Sequence, residues 1–159
     1  MDRDYDGARS AILSPVPHKD RDLWTCPKCG EKFVTRNMAH SCGKFTIEGL
    51  FAKSDPNVLA TYRRLERMAK SVAPFHVIPQ KTRVSFQLRT RCAGGYPMKS
   101  AFRFAFLSRK VIEHPRIFKV ETFAPDQHVH YVMLRSPDEV DGQIKEWLKI
   151  STAYGEQRH

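Results

Sequence analysis

Residues 75 to 134 repeat apolar side chains at every second position, and this period constrains the fold more than any other feature. "RVSFQLR" sets Val84, Phe86 and Leu88 against Arg83, Ser85, Gln87 and Arg89, and "AFRFAFL" aligns Phe102, Phe104 and Phe106. "FHVIPQ", "IFKVETF" and "HVHYVML" complete the run. Alternation of this kind marks strands with one buried face. The connections are rich in turn residues, with "AGGYP" and "APDQ" the clearest, which predicts antiparallel neighbours.

On either side the period lengthens to that of helices. In "SDPNVLATYRRLERMAKSVAP" Asp55 is the expected cap, Pro56 suits the first turn and Pro74 ends the helix. Val58, Leu59, Tyr62, Leu65, Ala69 and Val72 form its apolar stripe, while Arg63, Arg67 and Lys70 form a second stripe that should face solvent. "FTIEGLF" predicts one short helical turn. "SPDEVDGQIKEWLKISTAY" predicts a helix with Pro137 in its first turn, a capping box of Ser136 and Glu139, and an apolar face of Val140, Ile144, Trp147 and Leu148. The order of helix, strands and helix predicts an α+β domain, an antiparallel sheet covered by helices and preceded by a small zinc-binding segment. The expected divisions are a mobile tail over 1–22, the zinc-binding segment over 23–44, the α+β domain over 45–154 and a C-terminal tail over 155–159. No apolar run nears the roughly 18 residues of a membrane span. The acidic "MDRDYDGARS" lacks the apolar core of a secretion signal, so the expected location is cytoplasmic.

Three of the four cysteines, Cys26, Cys29 and Cys42, share "WTCPKCGEKFVTRNMAHSC" with His40. In a reducing compartment a metal explains such a cluster better than disulfides. Cys26, Cys29, His40 and Cys42 supply the four N/S ligands of a closed, tetrahedral structural zinc site, which keeps no position for substrate or activated water. Glycine after the second cysteine lets backbone N–H groups turn toward the sulfur atoms. His40 and Cys42 are one residue apart, on opposite sides of any ideal helix, which disfavours a groove-reading helix. Trp24 and Phe33 should pack around the site. Lys28, Lys32, Arg36 and Lys44 could touch phosphates, or the clip could serve as a staple alone. The remaining cysteine, Cys92, falls in a predicted strand and reads as a half-buried free thiol rather than a reactive nucleophile.

The net charge of +10 is concentrated in the middle of the chain, where residues 61–119 carry fourteen basic and two acidic groups. Such a field attracts polyanions. One reading is therefore a zinc-stapled module that binds RNA, DNA or another polyanion through Arg63, Arg67, Lys70, Lys81, Arg83 and Arg89. A second is an enzyme or a receptor for a small anionic ligand. Residues two apart on a strand share a side, so His128 and His130 could act as an acid/base or metal pair with Glu121 as the neighbouring carboxylate, while Lys81 or Arg83 orients the anion. The same pattern also describes the solvated face of an antiparallel sheet. A third reading is an adaptor whose zinc segment docks a protein partner. No serine-triad order, phosphate-cradling loop or dinucleotide fingerprint occurs.

Taken together, "WTCPKCGEKF", "HSCGKFT", "PQKTRVSFQ", "EHPRIFKVETFAPDQHVHY" and "LRSPDEVDGQIKEWL" resemble a bacterial family known as a domain of unknown function, DUF5655, with an N-terminal CCHC zinc-finger-like segment. The likeness spans about residues 23–150. It implies a compact cytosolic α+β module and draws attention to Lys81, Thr82, Arg83, Glu121, Phe123, His128 and His130, but it transfers no catalytic residue.

Overall fold

A computed structural model describes residues 23–33, 36–37 and 42–157. The expected tail over 1–22 lies outside the described residues, as does His40. The described residues begin with a two-stranded hairpin, β1 (Trp24–Thr25) and β2 (Lys32–Phe33), followed by a short helix α1 (Ile47–Leu50) and a long helix α2 (Pro56–Val72). Six strands come next: β3 (His76–Pro79), β4 (Val84–Gln87), β5 (Arg91–Pro97), β6 (Phe102–Ser108), β7 (Ile117–Ala124) and β8 (Gln127–Leu134). A 3-10 turn (Pro137–Glu139) and helix α3 (Gly142–Gly155) complete the described chain. The six strands form one antiparallel sheet in the order β3-β4-β5-β6-β8-β7. The architecture is α+β.

Register assigns each strand residue to a face. Phe86 opposes Ala93, Ala93 opposes Phe106, and Phe106 opposes His130, so these four project to one side. Helices α2 and α3 cover that side. Tyr62 and Leu65 of α2 and Ile144, Trp147 and Leu148 of α3 are buried in one cluster with Phe86, Phe102, Phe104 and Phe106. Each such side chain contributes roughly 1.5–3 kcal/mol on burial. Trp147 stacks on Phe106 with ring centroids 5.2 Å apart, and Phe102 packs against both Phe51 and Tyr62, which also touch each other with centroids 5.0 Å apart. The apolar stripe predicted for α2 is the side it buries, with Leu59 and Val72 partly covered at its margins.

Three local expectations are corrected. Asp55 stands at the N-cap of α2 without capping it, because its carboxylate pairs with Lys99 Nζ at 3.1 Å. "AGGYP" is no turn: it lies within β5, in the interior of the sheet. "APDQ", by contrast, does close the β7–β8 hairpin. The C-terminal helix starts at Gly142 rather than Pro137, and neither Ser136 nor Glu139 caps it. Val140 is fully buried, and its carbonyl accepts from Arg64 Nε at 3.1 Å instead of continuing a helical ladder. Glu139 accepts instead from the Arg135 N–H, and the cap is Asp141, whose side chain accepts from Ile144 N at 3.3 Å.

Asp141 also receives Arg116 Nη1 at 3.0 Å on both oxygens. Burial works against its charge, but the Arg116 bonds and the Ile144 N–H outweigh it and hold the carboxyl below its usual range. A depressed folded pKa gives stability that is present above the ordinary carboxylate value of about 4 and lost as pH falls through the folded value. Asp141→Ala should therefore cost about 1–2 kcal/mol at neutral pH. Urea midpoints of the variant and the parent should converge in acid; a gap that is constant down to acid pH would contradict the assignment.

Candidate functional site

The hairpin β1–β2 holds Cys26 and Cys29, and Cys42 follows it in the chain. Trp24 opposes Phe33 and Thr25 opposes Lys32, so the chain reverses through Cys26 to Gly30, where the Gly30 N–H donates to the Cys26 carbonyl at 2.9 Å. Gly30 and Gly43 each follow a cysteine and take φ of 79° and 75°, a left-handed conformation that costs glycine little. These turns bring the sulfur atoms of Cys26, Cys29 and Cys42 within 4.8 Å of one another, with Cys26 and Cys42 at 3.6 Å. A tetrahedral zinc with bonds of about 2.3 Å requires sulfur separations of roughly 3.8 Å, so the trio suits a metal ion. The bond to Cys26 and burial push the Cys42 thiol up to about 11. Burial raises the Cys26 thiol, yet the Cys29 and Lys28 N–H groups with the neighbouring thiols bring it down to about 6. Stabilising a thiolate in this way is what a metal ligand needs. The rings of Trp24 and Phe33 lie 6.1 Å apart beside the cysteines.

The clip rests on one end of the sheet face that the helices leave uncovered. Gln87 Nε2 donates to the Lys32 carbonyl, and the Arg91 guanidinium lies 5.6 Å over the Phe33 ring. Gln87, expected on a solvated face, is buried where it meets the clip, and Ser85 is buried with its hydroxyl donating to Gln80 Oε1 at 2.8 Å. Beyond the clip the face stays open as a cleft of about 260 Å³, lined among others by Arg83, Arg91, Tyr96, Glu121, Phe123 and Tyr131. Arg103 lies over the ring of Tyr131 at 4.4 Å and those of Tyr96 and Phe118 at 5.6 Å each. Arg83 Nη1 reaches Tyr96 OH at 3.4 Å. Tyr131 OH donates to Glu121 Oε1 at 2.5 Å, and Lys119 Nζ lies 3.4 Å from Oε2. Register shifts between Ile117 and Lys119 and between Thr122 and Ala124 mark two bulges in β7. The residues they insert, Phe118 and Phe123, stay 51% and 65% exposed, a large fraction for phenylalanine. Together these groups make an aromatic and cationic platform.

The family described as a domain of unknown function (DUF5655) matches residues 47–156. The chain belongs to the DUF5655 family. No curated protein and no solved structure matches it. The DUF5655 match begins at α1 and includes the whole six-stranded sheet, whereas the three clip cysteines precede it.

Within the DUF5655 domain the expected acid/base trio is not assembled. Glu121 opposes Val129, while Val120 and Thr122 oppose His130 and His128, so the carboxylate and the two imidazoles project to opposite faces of the sheet. His130 is fully buried in the helix-covered core, stacked on Phe106 at 4.8 Å, and its Nε2 accepts the Ile112 N–H at 2.9 Å. Burial lowers its pKa. His128 bridges Thr122 Oγ1 at 2.8 Å and the Pro125 carbonyl at 3.1 Å, tying together the hairpin. The basic residues also separate. Lys81 and Arg83 are exposed, and Arg83 lines the open cleft, but Arg89 is buried and its Nε donates to Gln157, just past the end of α3. On α2, Arg63 pairs with Glu48 at 2.8 Å and Lys70 with Glu66 at 3.1 Å, while Arg67 is exposed between them. Cys92 is a buried thiol, pushed up to about 12 by burial. Sequence reasoning passes over Arg91, Tyr96, Arg103, Phe118 and Tyr131. Alternation around Arg103 and Tyr131 places them opposite core residues, but only the register shows that they meet.

Proposed function

We propose that the chain binds single-stranded nucleic acid across the open face of its sheet, with one zinc ion stapling the clip at the end of that face. The observation that carries this reading is the Arg103 guanidinium set among the rings of Tyr96, Phe118 and Tyr131. Cations neutralise phosphates, and the exposed rings of Phe118 and Phe123 offer stacking surfaces for bases that a duplex would keep hidden, whereas Tyr131 is buried and packs against Arg103. Of the polyanion-binding residues expected from sequence, Arg83 belongs to this surface, with Lys81 two residues before it in the chain, and Arg91 and Arg103 join them. The α2 stripe is a weaker candidate, because Arg63 and Lys70 already share their charge with carboxylates. The zinc ligands are Cys26, Cys29 and Cys42 with His40 as the fourth. A closed set of this kind orders the hairpin and takes no part in chemistry.

Fluorescence anisotropy with a short unstructured oligonucleotide across a salt series tests the proposal. Arg83→Glu should flatten the log–log salt slope by about 0.7 for each phosphate that is no longer neutralised. Phe118→Ala and Phe123→Ala should each cost roughly 1–3 kcal/mol if they stack on a base. Unchanged affinity after all of these substitutions, or equal binding of duplex and single strand, would remove the open face from consideration.

A further inference from the structure

A carboxylate stands where a simple phosphate-binding surface should have none. Glu121 is the sole acidic side chain among the described residues that line the open cleft, and it faces a surface otherwise furnished with Arg83, Arg91 and Tyr131. It is also held in place. Tyr131 OH donates to Oε1 at 2.5 Å and Lys119 Nζ approaches Oε2 at 3.4 Å, so the group has a defined orientation in the plane of the two oxygens. The Tyr131 hydrogen bond, with help from Lys119 and Arg103, keeps the carboxyl ionised below its usual range. An ionised carboxylate accepts hydrogen bonds only, and each of these oxygens keeps a second lone pair for an incoming donor. The group must then serve a ligand that brings donors rather than negative charge.

Among the bases of a single strand, guanine presents two adjacent donors, N1–H and the 2-amino group, at the spacing of the two oxygens of a carboxylate. Adenine and cytosine place a ring acceptor beside their amino group, which a carboxylate repels. Uracil and thymine place a single N–H between two carbonyls. The ring of Phe123 lines the same cleft and is largely exposed, which supplies a wall against which a base can stack.

We infer that Glu121 is a specificity residue that reads guanine, accepting its N1–H and 2-amino donors while Phe123 stacks on the base and the surrounding arginines hold the flanking phosphates. This rests on the proposal that the open face binds a single strand. Tyr131 acts as a positioning residue, fixing the carboxylate through its hydroxyl.

The test compares unstructured uridine oligonucleotides that carry one central guanosine, inosine or adenosine, by anisotropy at fixed salt. Wild-type protein should bind the guanosine strand roughly tenfold more tightly than the adenosine strand, the size of a good bidentate base contact. Inosine keeps N1–H and lacks the 2-amino group, so it should fall between the two. Glu121→Gln should bring the guanosine-to-adenosine ratio of Kd values toward one, and Tyr131→Phe, which leaves the ring and removes the hydroxyl, should narrow it. A wild-type ratio near one, inosine equal to guanosine, or a ratio untouched by Glu121→Gln would overturn guanine recognition while leaving single-strand binding standing. Failure to bind any of the strands would overturn both.

Discussion

Gly94→Ala is expected to abolish or nearly abolish cooperative folding. A Cβ built on Gly94 would lie 2.1 Å from the Val84 carbonyl oxygen and 2.9 Å from the Ser85 Cα, and φ is +144°, where side-chain-bearing residues are strained. The obstacle is the backbone of β4, which cannot move aside without breaking its pairing with β5. Overpacking and backbone strain together cost roughly 2–6 kcal/mol, against a total stability of about 5–15 kcal/mol for a domain. Gly142→Ala makes the natural comparison. A Cβ there meets nothing within 4 Å, and the residue begins α3. That substitution should be neutral or stabilise by up to about 1 kcal/mol. Urea denaturation of both variants measures the contrast, and a Gly94→Ala protein as stable as its parent would contradict the close approach of β4 and β5.

Removing the metal should have the second large effect, confined to the clip. Structural zinc supplies on the order of 10 kcal/mol or more to small units of this kind. None of the clip residues belongs to the core cluster that joins α2, α3 and the sheet. Cys26→Ser, or treatment of the zinc-loaded protein with a chelator, should therefore expose Trp24 while leaving the far-ultraviolet dichroism of the sheet and helices largely intact. In a Trp147→Phe background, Trp24 emission should shift to the red as one equivalent of zinc is released. Unaltered emission with full metal loading after Cys26→Ser would reject Cys26 as a ligand.

The features legible in the sequence are those that a single segment decides. Val84, Phe86, Phe102, Phe104 and Phe106 alternate because their strands bury one face, and Val58, Tyr62, Leu65 and Ala69 recur because one side of α2 is buried. Three cysteines in two short turns are equally plain. What escapes the sequence depends on how separate segments meet. A strand's faces are known up to parity, and a shift of one residue exchanges them. The bulge at Phe123, between the β7–β8 turn and Glu121, resets that parity, which is why alternation alone sets Glu121 beside His128 and His130 while the fold puts it across the sheet from them. Gly94 and Gly95 carry the signature of a turn, although their role is to let neighbouring backbones approach an inner strand. Arg89 looks like the continuation of a polar strand face, but β4 ends at Gln87 and the chain turns its guanidinium toward α3. Ser136 and Glu139 have the spacing of a capping box, and the burial of Val140 moves the start of the helix beyond them.

The bulged strand β7 has a further consequence for how molecules of this protein behave beside one another. It is an outer strand, paired on one side with β8 alone. A straight, regular edge bearing two exposed phenylalanines would invite strand addition by a neighbouring copy and the growth of a continuous intermolecular sheet. The two register shifts interrupt the row of free N–H and C=O groups, so an incoming strand cannot pair in an unbroken ladder. Lys119 and Glu121, placed between the two rings, add charge that a stacked copy would have to desolvate. The distortions that leave Phe118 and Phe123 exposed thus also protect the chain from aggregating through the strand that carries them.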